Sequence, residues 1–455
     1  MKTTTRIFAS LTLSLMTSSV LAAASPDEIA KLGTSLTPIG AERGANADGS
    51  IPEWTGGLTK SAGSVDAKGF LSNPFADEQP LFVITAQNAE QYRDKLNEGQ
   101  LAMFKRYPET FKMKVYPSHR TVSMPQAIYD AARVSAANVK LVDGGNGLDG
   151  FAESRVFPFP IPKSGIEVVW NHLTRYKGGN VLRDSSNGFP QRNGEYTLVR
   201  MTDQVAFPSW LPDMTKDKAE NTLLVFKSVT TAPARLAGNV LLVHDTLNQV
   251  KEARMAWQYN PGQRRVRRAP QVAYDSPGNN ADGTRASDDF DMYNGAPDRY
   301  DWKLIGKKEL YIPYNSYDLA SPSLKYSDIL KVGHVNQDLA RYELHRVWVV
   351  EGTLKDGKRH VYAKRRFYID EDSWTIAASE LYDGRGQLWR VGQAMLMQEY
   401  NAQTPWYALE ALYDLISGRY GVYGMINEEA KWIRFGVNAS SNDYTPAALR
   451  TSGVR

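Results

Sequence analysis

The strongest constraint on the fold is a run of four consecutive strand-like segments in the last third of the chain. Tyr342–Leu354, Arg359–Ile369, Trp374–Tyr382 and Leu388–Met397 are rich in β-branched and aromatic residues. Their connections are Lys355-Asp356-Gly357-Lys358, Asp370-Glu371-Asp372-Ser373 and Asp383-Gly384-Arg385-Gly386. Asp-Gly between alternating runs signals a tight hairpin, because both residues tolerate positive φ. Val361, Ala363, Phe367 and Ile369 share one face of the second segment, and Trp374, Ile376 and Ala378 share one face of the third. Alternation of this kind predicts an antiparallel meander with one buried face.

Strands are also expected over Tyr196–Phe207, Thr222–Thr230, Asn239–Leu247 and Glu252–Tyr259, with a last short one in Lys431–Val437. Helices are expected from Thr85 to Phe104, from Pro125 to Asn138 and from Ile166 to Leu173. Another is expected from Thr404-Pro405, read as N-cap and first helical residue, to Gly418. Ser25-Pro26-Asp27-Glu28 carries a capping box and opens a short helix ending near Leu32. Thr34 to Asn73 is rich in Gly, Pro and Ser and reads as an extended arm on the body, while Phe157-Pro158-Phe159-Pro160-Ile161-Pro162 must be extended without a regular ladder. Together these predict an α+β protein: a large curved antiparallel sheet packed around helices, with an N-terminal extended and helical extension.

The first residues have the order of a secretory signal. Lys2 and Arg6 precede the apolar stretch Ile7–Leu21, and Ala22-Ala23-Ala24 supplies small residues for cleavage before Ser25. The chain contains no Cys, so no lipid-anchoring cysteine is available, and thiol catalysis and Cys-ligated zinc are excluded. No later stretch is long and apolar enough for a membrane helix. The expectation is a soluble periplasmic protein with no membrane span. Without Lys2 and Arg6 the excess of basic over acidic residues falls from four to two, which does not favour nucleic acid as a partner. The organisation expected is a signal peptide (1–24), an N-terminal extended and helical region (25–150), a β half-barrel with helices (151–440) and a loose C-terminal tail (441–455).

Motif by motif, chemistry is sparse. Gly145-x-Gly147-x-x-Gly150 has dinucleotide-loop spacing, but the proline run from Pro158 is not the helix such a loop needs, so a turn is the better reading. The six His residues form no compact ligand pair; His345 and His360 fall on neighbouring expected strands, and a metal site there needs a third ligand. Asp288, Asp289, Asp291, Asp298 and Asp301 make an acidic loop, read as solvated, with calcium as the competing reading although EF-hand spacing is absent. Arg264, Arg265, Arg267 and Arg268 are either a charged strand edge or a patch for anionic lipid or an acidic partner. With no GxSxG elbow or other catalytic motif, the chain is expected not to be an enzyme and to carry no catalytic residue, cofactor or metal. The 10 Trp and 24 Tyr are more suggestive, because aromatics on a concave sheet face make a pocket for an apolar ligand. Trp257, Tyr259, Trp302, Trp348, Tyr362 and Trp374, with Tyr342 and Trp389 nearby, are the candidate ligand-binding residues; a filled core is the competing reading.

Five segments carry a resemblance. They are Asn46-Ala47-Asp48-Gly49-Ser50-Ile51-Pro52-Glu53-Trp54-Thr55-Gly56-Gly57, the Phe157–Pro162 run with Trp170-Asn171-His172, Tyr300-Asp301-Trp302-Lys303 with Tyr311-Ile312-Pro313-Tyr314-Asn315, Arg341 to Trp348, and Tyr368 to Trp374. Over nearly the whole chain beyond the signal, the sequence resembles the exported domain-of-unknown-function family 1329, described as outer-membrane lipoprotein-sorting-like. Trp257 to Val266 and Tyr368 to Leu388 also resemble strand pairs of LolA/LolB-type proteins. That second resemblance implies an incomplete barrel around helices with a cavity for acyl chains. The implied role is a periplasmic carrier or chaperone for a lipid, lipoprotein acyl chain or other hydrophobic molecule in envelope transport. The alternatives are a docking protein for an outer-membrane channel or RND-type exporter, and a periplasmic enzyme on an apolar substrate.

Overall fold

The computed structural model describes residues 23–270, 272 and 274–453. The expected export signal from Lys2 to Ala22 lies outside the described residues. Ser25 caps α1 (Pro26–Ile29): its side chain accepts the Glu28 N–H, and the Glu28 carboxylate accepts the Ser25 N–H. The arm from Thr34 to Asn73 has almost no regular structure, yet it seats Ile39, Ile51 and Phe70 in the main core.

Four short strands lie in the first third: β1 (Phe82–Ile84), β2 (Met113–Val115), β3 (Lys140–Val142) and β4 (Gly147–Asp149). The last two form their own hairpin around the Asp143–Gly145 turn, so the glycine-rich motif is a turn. Two meanders follow. The first is β5 (Val181–Pro190), β6 (Tyr196–Ala206), β7 (Thr222–Ala232), β8 (Val240–Thr246), β9 (Met255–Asn260) and β10 (Arg265–Arg268). The second is β11 (Tyr300–Pro313), β12 (Tyr342–Leu354), β13 (Lys364–Asp370), β14 (Ile376–Tyr382), β15 (Leu388–Glu399), β16 (Thr404–Asp414) and β17 (Tyr420–Met425). Every strand in each meander pairs antiparallel with the next. The last strand of the second meander then docks on the first strand of the first, Val422 opposite Gly188. The result is one open sheet running from β11 through β17 and β5 to β10. The short β18 (Arg434–Phe435) pairs with β5, and β2 touches the end of β12.

Hairpin chemistry explains the second meander. Gly357 takes φ of +74° in the Asp356-Gly357 turn, and in the β14–β15 turn it is Gly386, not Gly384, that takes positive φ, at +76°. Trp374 also takes positive φ and turns its ring into the core, where its indole N–H donates to the Ile39 carbonyl at 2.9 Å. β10 is an end strand, and its exposed Arg265, Arg267 and Arg268 put positive charge on an edge that is otherwise open to further pairing.

Several expectations are corrected. Thr404–Asp414 is a strand, not a helix. Trp406 to Tyr413 is buried on both faces between β15 and β17, so apart from Glu410 it is apolar throughout and lacks the alternation that tells strand from helix. The helix expected over Thr85–Phe104 breaks at Leu96, which is extended. Asn97 then caps α2, taking α1's successor position at Glu98–Arg106, with a capping box to Gln100. β5 and β11 are absent from the strands read above; Leu182 to Asn187 and Asp301 to Glu309 are too polar to show an apolar alternation. Arg359 to Ala363 precedes β13 as loop, so His360 is not on a strand beside His345. The tail expected to be loose packs against the sheet: Tyr444 and Leu449 are buried with Ala206, Val225, Val240 and Leu242. Helices α3 (Gln126–Asn138) and α4 (Gly165–Leu173) fall where the sequence places them.

Candidate functional site

Alternation in β5 to β8 decides what faces a cavity on one side of the sheet. Val181 and Arg183 in β5, Met201, Asp203 and Val205 in β6, Leu224, Phe226 and Ser228 in β7, and Leu241, Val243 and Asp245 in β8 all line it. On the opposite face Ala206, Val225, Val240 and Leu242 form the second core with the C-terminal segment, and Lys227 and His244 reach the Asp443 and Tyr444 carbonyls. Tyr407 and Glu410 of β16 and Tyr423 of β17 close one end. The loop carrying Asn280, Arg285 and Phe290 also borders it, with Arg285 over the Tyr423 ring, and is tied to the sheet by Asn187 Nδ2 to the Asn280 carbonyl and Asn280 Nδ2 to Thr230 Oγ1. The cavity measures about 110 Å³ and is partly open. That is the scale of the ~150 Å³ apolar cavity that admits a benzene ring.

Its wall is apolar along the strands and charged at the ends. Arg183 pairs with Asp203 at 3.2 Å and donates to the Tyr407 hydroxyl at 3.0 Å. Arg254 holds Asp245 at 2.8 Å, and Lys177 lies 3.4 Å from Asp291, which also accepts from Arg175. Burial lowers Lys177 to about 8, with Arg175 adding to the effect. Arg175 and Lys177 hold the Asp291 carboxyl far below its ordinary value against the opposing effect of burial. Among the described residues Glu410 has no cation within ion-pair reach, and its Oε1 has no hydrogen-bond partner. Burial, with Asp291 second, raises its carboxyl to about 8.

α4 positions this end of the site. His172 is fully buried and neutral, lowered to about 3 by burial first. Its Nε2 faces the carbonyls of Asp291 and Tyr293 at 3.0 and 3.1 Å, and its Nδ1 accepts the Ile376 N–H at 3.2 Å. These bonds lock the Asp291 loop between α4 and β14. Asn171 binds both backbone groups of Phe159, which fixes the proline run on the helix.

None of the six aromatic candidates lines this cavity. Trp302 stacks on Phe367 and donates to the Pro297 carbonyl. Trp348 stacks on Trp374 within the main core. Tyr362 donates to Asp289 at 2.8 Å, and Trp257 and Tyr259 face the second core. The cavity's aromatics are instead Phe226, Phe290, Trp406, Tyr407 and Tyr423. A signal for the site was present in the chain: Arg183, Asp203 and Asp245 interrupt strands at inward positions, where a plain core would carry apolar side chains.

Asp288, Asp289 and Asp291 of the acidic stretch are buried, not solvated, while Asp301 is exposed. Asp288 and Asp289 are buried on Arg365, at 2.6 and 3.3 Å, and His360 adds a contact to Asp288 at 3.0 Å. The Arg365 guanidinium lies 4.9 to 5.2 Å from the ring centres of Tyr293, Tyr300 and Tyr362. Among the described residues, His345, Asp370 and Asp372 bring possible ligand atoms within 4.8 Å of one another. Asp372, however, is engaged by Arg120 through two bonds of 2.8 and 2.6 Å, so a metal there faces a guanidinium on the same carboxylate. The neighbouring Glu371 binds Lys307 at 2.7 Å and Arg346 at 3.2 Å, and Glu343 binds Arg341 at 2.6 Å. Arg120 and Arg346 also donate to the Arg43 and Gly44 carbonyls and Lys307 to the Glu42 carboxylate, so this network clamps the N-terminal arm to β11, β12 and the β13–β14 turn. His345 and His360 belong to these two separate networks.

The described residues thus form an open two-meander sheet with a charged, partly apolar cavity on one face. The chain belongs to the family described as "Protein of unknown function (DUF1329)", whose model matches residues 83–450. It is 63% identical over 445 residues to "Uncharacterized protein PA3922" of Pseudomonas aeruginosa, covering 98% of this chain and 97% of that one. Solved structures with partial likeness include a putative outer membrane lipoprotein-sorting protein domain from Vibrio parahaemolyticus, at 15% identity and TM-score 0.44, covering 63% of this chain and 98% of that one. A DUF1329 family protein from Desulfovibrio piger matches at 14% identity and TM-score 0.41, covering 59% and 91%. The LolA superfamily protein NE2245 from Nitrosomonas europaea matches at 12% identity and TM-score 0.38, covering 62% and 98%. Among the described residues no helix is long and apolar enough to cross a membrane.

Proposed function

We propose that this protein is a periplasmic, non-catalytic carrier that holds the apolar part of a lipid, a lipoprotein acyl chain or a similar hydrophobic molecule against the inward face of β5 to β8. The observation that carries the reading is the cavity itself: a continuous apolar strip through Met201, Leu224, Phe226, Leu241 and Val243, on one face of paired strands and left unfilled by the protein's own side chains. Removing apolar surface from water there contributes roughly 25 cal/mol per Å². The periplasmic setting rests on the Lys2/Arg6, apolar and Ala22-Ala23-Ala24 order at the start of the chain.

The test is direct. The purified mature chain is extracted with organic solvent for mass spectrometry and titrated with a fluorescent fatty-acid probe. The expected result is a co-purifying apolar compound or saturable probe binding that weakens in a Leu224→Asp variant. Binding equal to a denatured control rejects the carrier reading.

A further inference from the structure

We infer that the cavity selects an amphiphile with an anionic oxygen headgroup, a carboxylate or a phosphate, and that Arg285 takes the head while the strand face takes the chain. The inference rests on the carrier reading and adds the chemistry of the ligand.

Three of the four cations in the cavity wall already own a carboxylate. Arg183 has Asp203, Arg254 has Asp245, and Lys177 shares Asp291 with Arg175. Arg285 is the exception. Among the described residues no carboxylate lies within 4.0 Å of its guanidinium, and its side chain makes no hydrogen bond. It is held by ring faces instead, 3.9 Å from the centre of Tyr423 and 5.4 Å from that of Phe290. Stacking of this kind fixes the guanidinium plane and leaves its N–H donors at the edge unspent. A planar fork of free donors matches a carboxylate or phosphate better than any neutral head.

Glu410 adds a second polar group beside Arg285. It is 4% exposed, borders the cavity with Arg285, and has an oxygen without a partner. Its charge is already opposed by Asp291, and burial keeps its proton on to about 8. In that form Glu410 offers an O–H donor towards the same space, and an anion between it and Arg285 meets donors from both sides. A cationic head would instead meet Arg285 unscreened.

The experiment uses the delipidated mature chain loaded with a fluorescent fatty acid. Dodecanoate, dodecyl phosphate, dodecanol and inorganic phosphate serve as competitors against wild type, Arg285→Gln and Arg285→Lys, each checked for native circular dichroism. Both amphiphilic anions should compete at least about tenfold better than dodecanol, the factor given by about 1.4 kcal/mol. Arg285→Gln should erase that preference with dodecanol unchanged, and Arg285→Lys should keep part of it. The better of the two anions identifies the head as carboxylate or phosphate. Equal competition by dodecanoate and dodecanol, or an undiminished preference in Arg285→Gln, overturns the headgroup assignment and leaves the carrier reading standing. Inorganic phosphate competing as well as dodecyl phosphate overturns the amphiphile. Failure of wild type to bind the probe or any chain-bearing competitor overturns both.

Discussion

Glu399 sits at the end of β15 with the Trp432 indole N–H 3.0 and 3.1 Å from its two carboxyl oxygens and no cation beside it. Burial raises its carboxyl from the ordinary 4.5 to about 8, against the smaller opposing effect of Trp432. Between those two values the folded chain holds a proton that the unfolded chain has released. Folding therefore takes up a proton, and stability falls as pH rises through that window and levels off above about 8. The slope approaches about 1.4 kcal/mol per pH unit from this group alone. A Glu399→Gln variant should be more stable than wild type at pH 8 and show a flatter dependence between pH 5.5 and 8, measured by urea denaturation. A slope unchanged by the substitution would remove Glu399 as its source. Residues of this kind were hard to read from the chain. The acidic loop looks solvated because its partners, Arg365, Arg175 and Lys177, lie far away in sequence, and only the fold places them within reach.

Elements were legible where period and punctuation agreed. The β12 to β15 meander follows from alternation and Asp-Gly turns, and α3 and α4 follow from helical spacing. β16 was not legible, because a strand buried on both faces loses the alternation that marks strands. Turn glycines provide a test of how local these signals are. Gly357 has φ +74° and open space where a Cβ would go, so Gly357→Ala should cost only the left-handed backbone penalty, about 1–2 kcal/mol. Gly57 has φ +72°, and a Cβ there would lie 2.1 Å from the Val122 carbonyl oxygen. Gly57→Ala should therefore destabilise clearly more than Gly357→Ala, since the backbone of 121–122 must move. Denaturation midpoints compare the two; equal losses would show that the arm yields without strain.

On the scale of the whole molecule, both faces of β6 to β8 are used. One borders the cavity and the other is covered by the C-terminal segment through Tyr444 and Leu449. Deleting residues 441–455 should expose Val225, Val240 and Leu242 and cost about 4 kcal/mol or more, by analogy with large-to-small core substitutions. The readouts are the denaturation midpoint and binding of a hydrophobic dye. An unchanged midpoint would mean that the segment contributes nothing to the sheet. The arm Thr34–Asn73 is fixed differently: Arg120 donates to the Arg43 carbonyl, Arg346 to the Gly44 carbonyl and Lys307 to the Glu42 carboxylate, while all three also reach the carboxylates of the β13–β14 turn.

The chain alone was enough for the α+β class, the β12 to β15 meander and the capping box of α1, because each depends on residues a few positions apart. It also determined the family, through segments spread over the chain. Which strands adjoin at β17 and β5, which aromatics fill the core and which charges share a cavity emerge only in the folded chain. Those outcomes rest on contacts between residues separated by tens to hundreds of positions, such as Arg183 with Tyr407, and no local period records such a meeting.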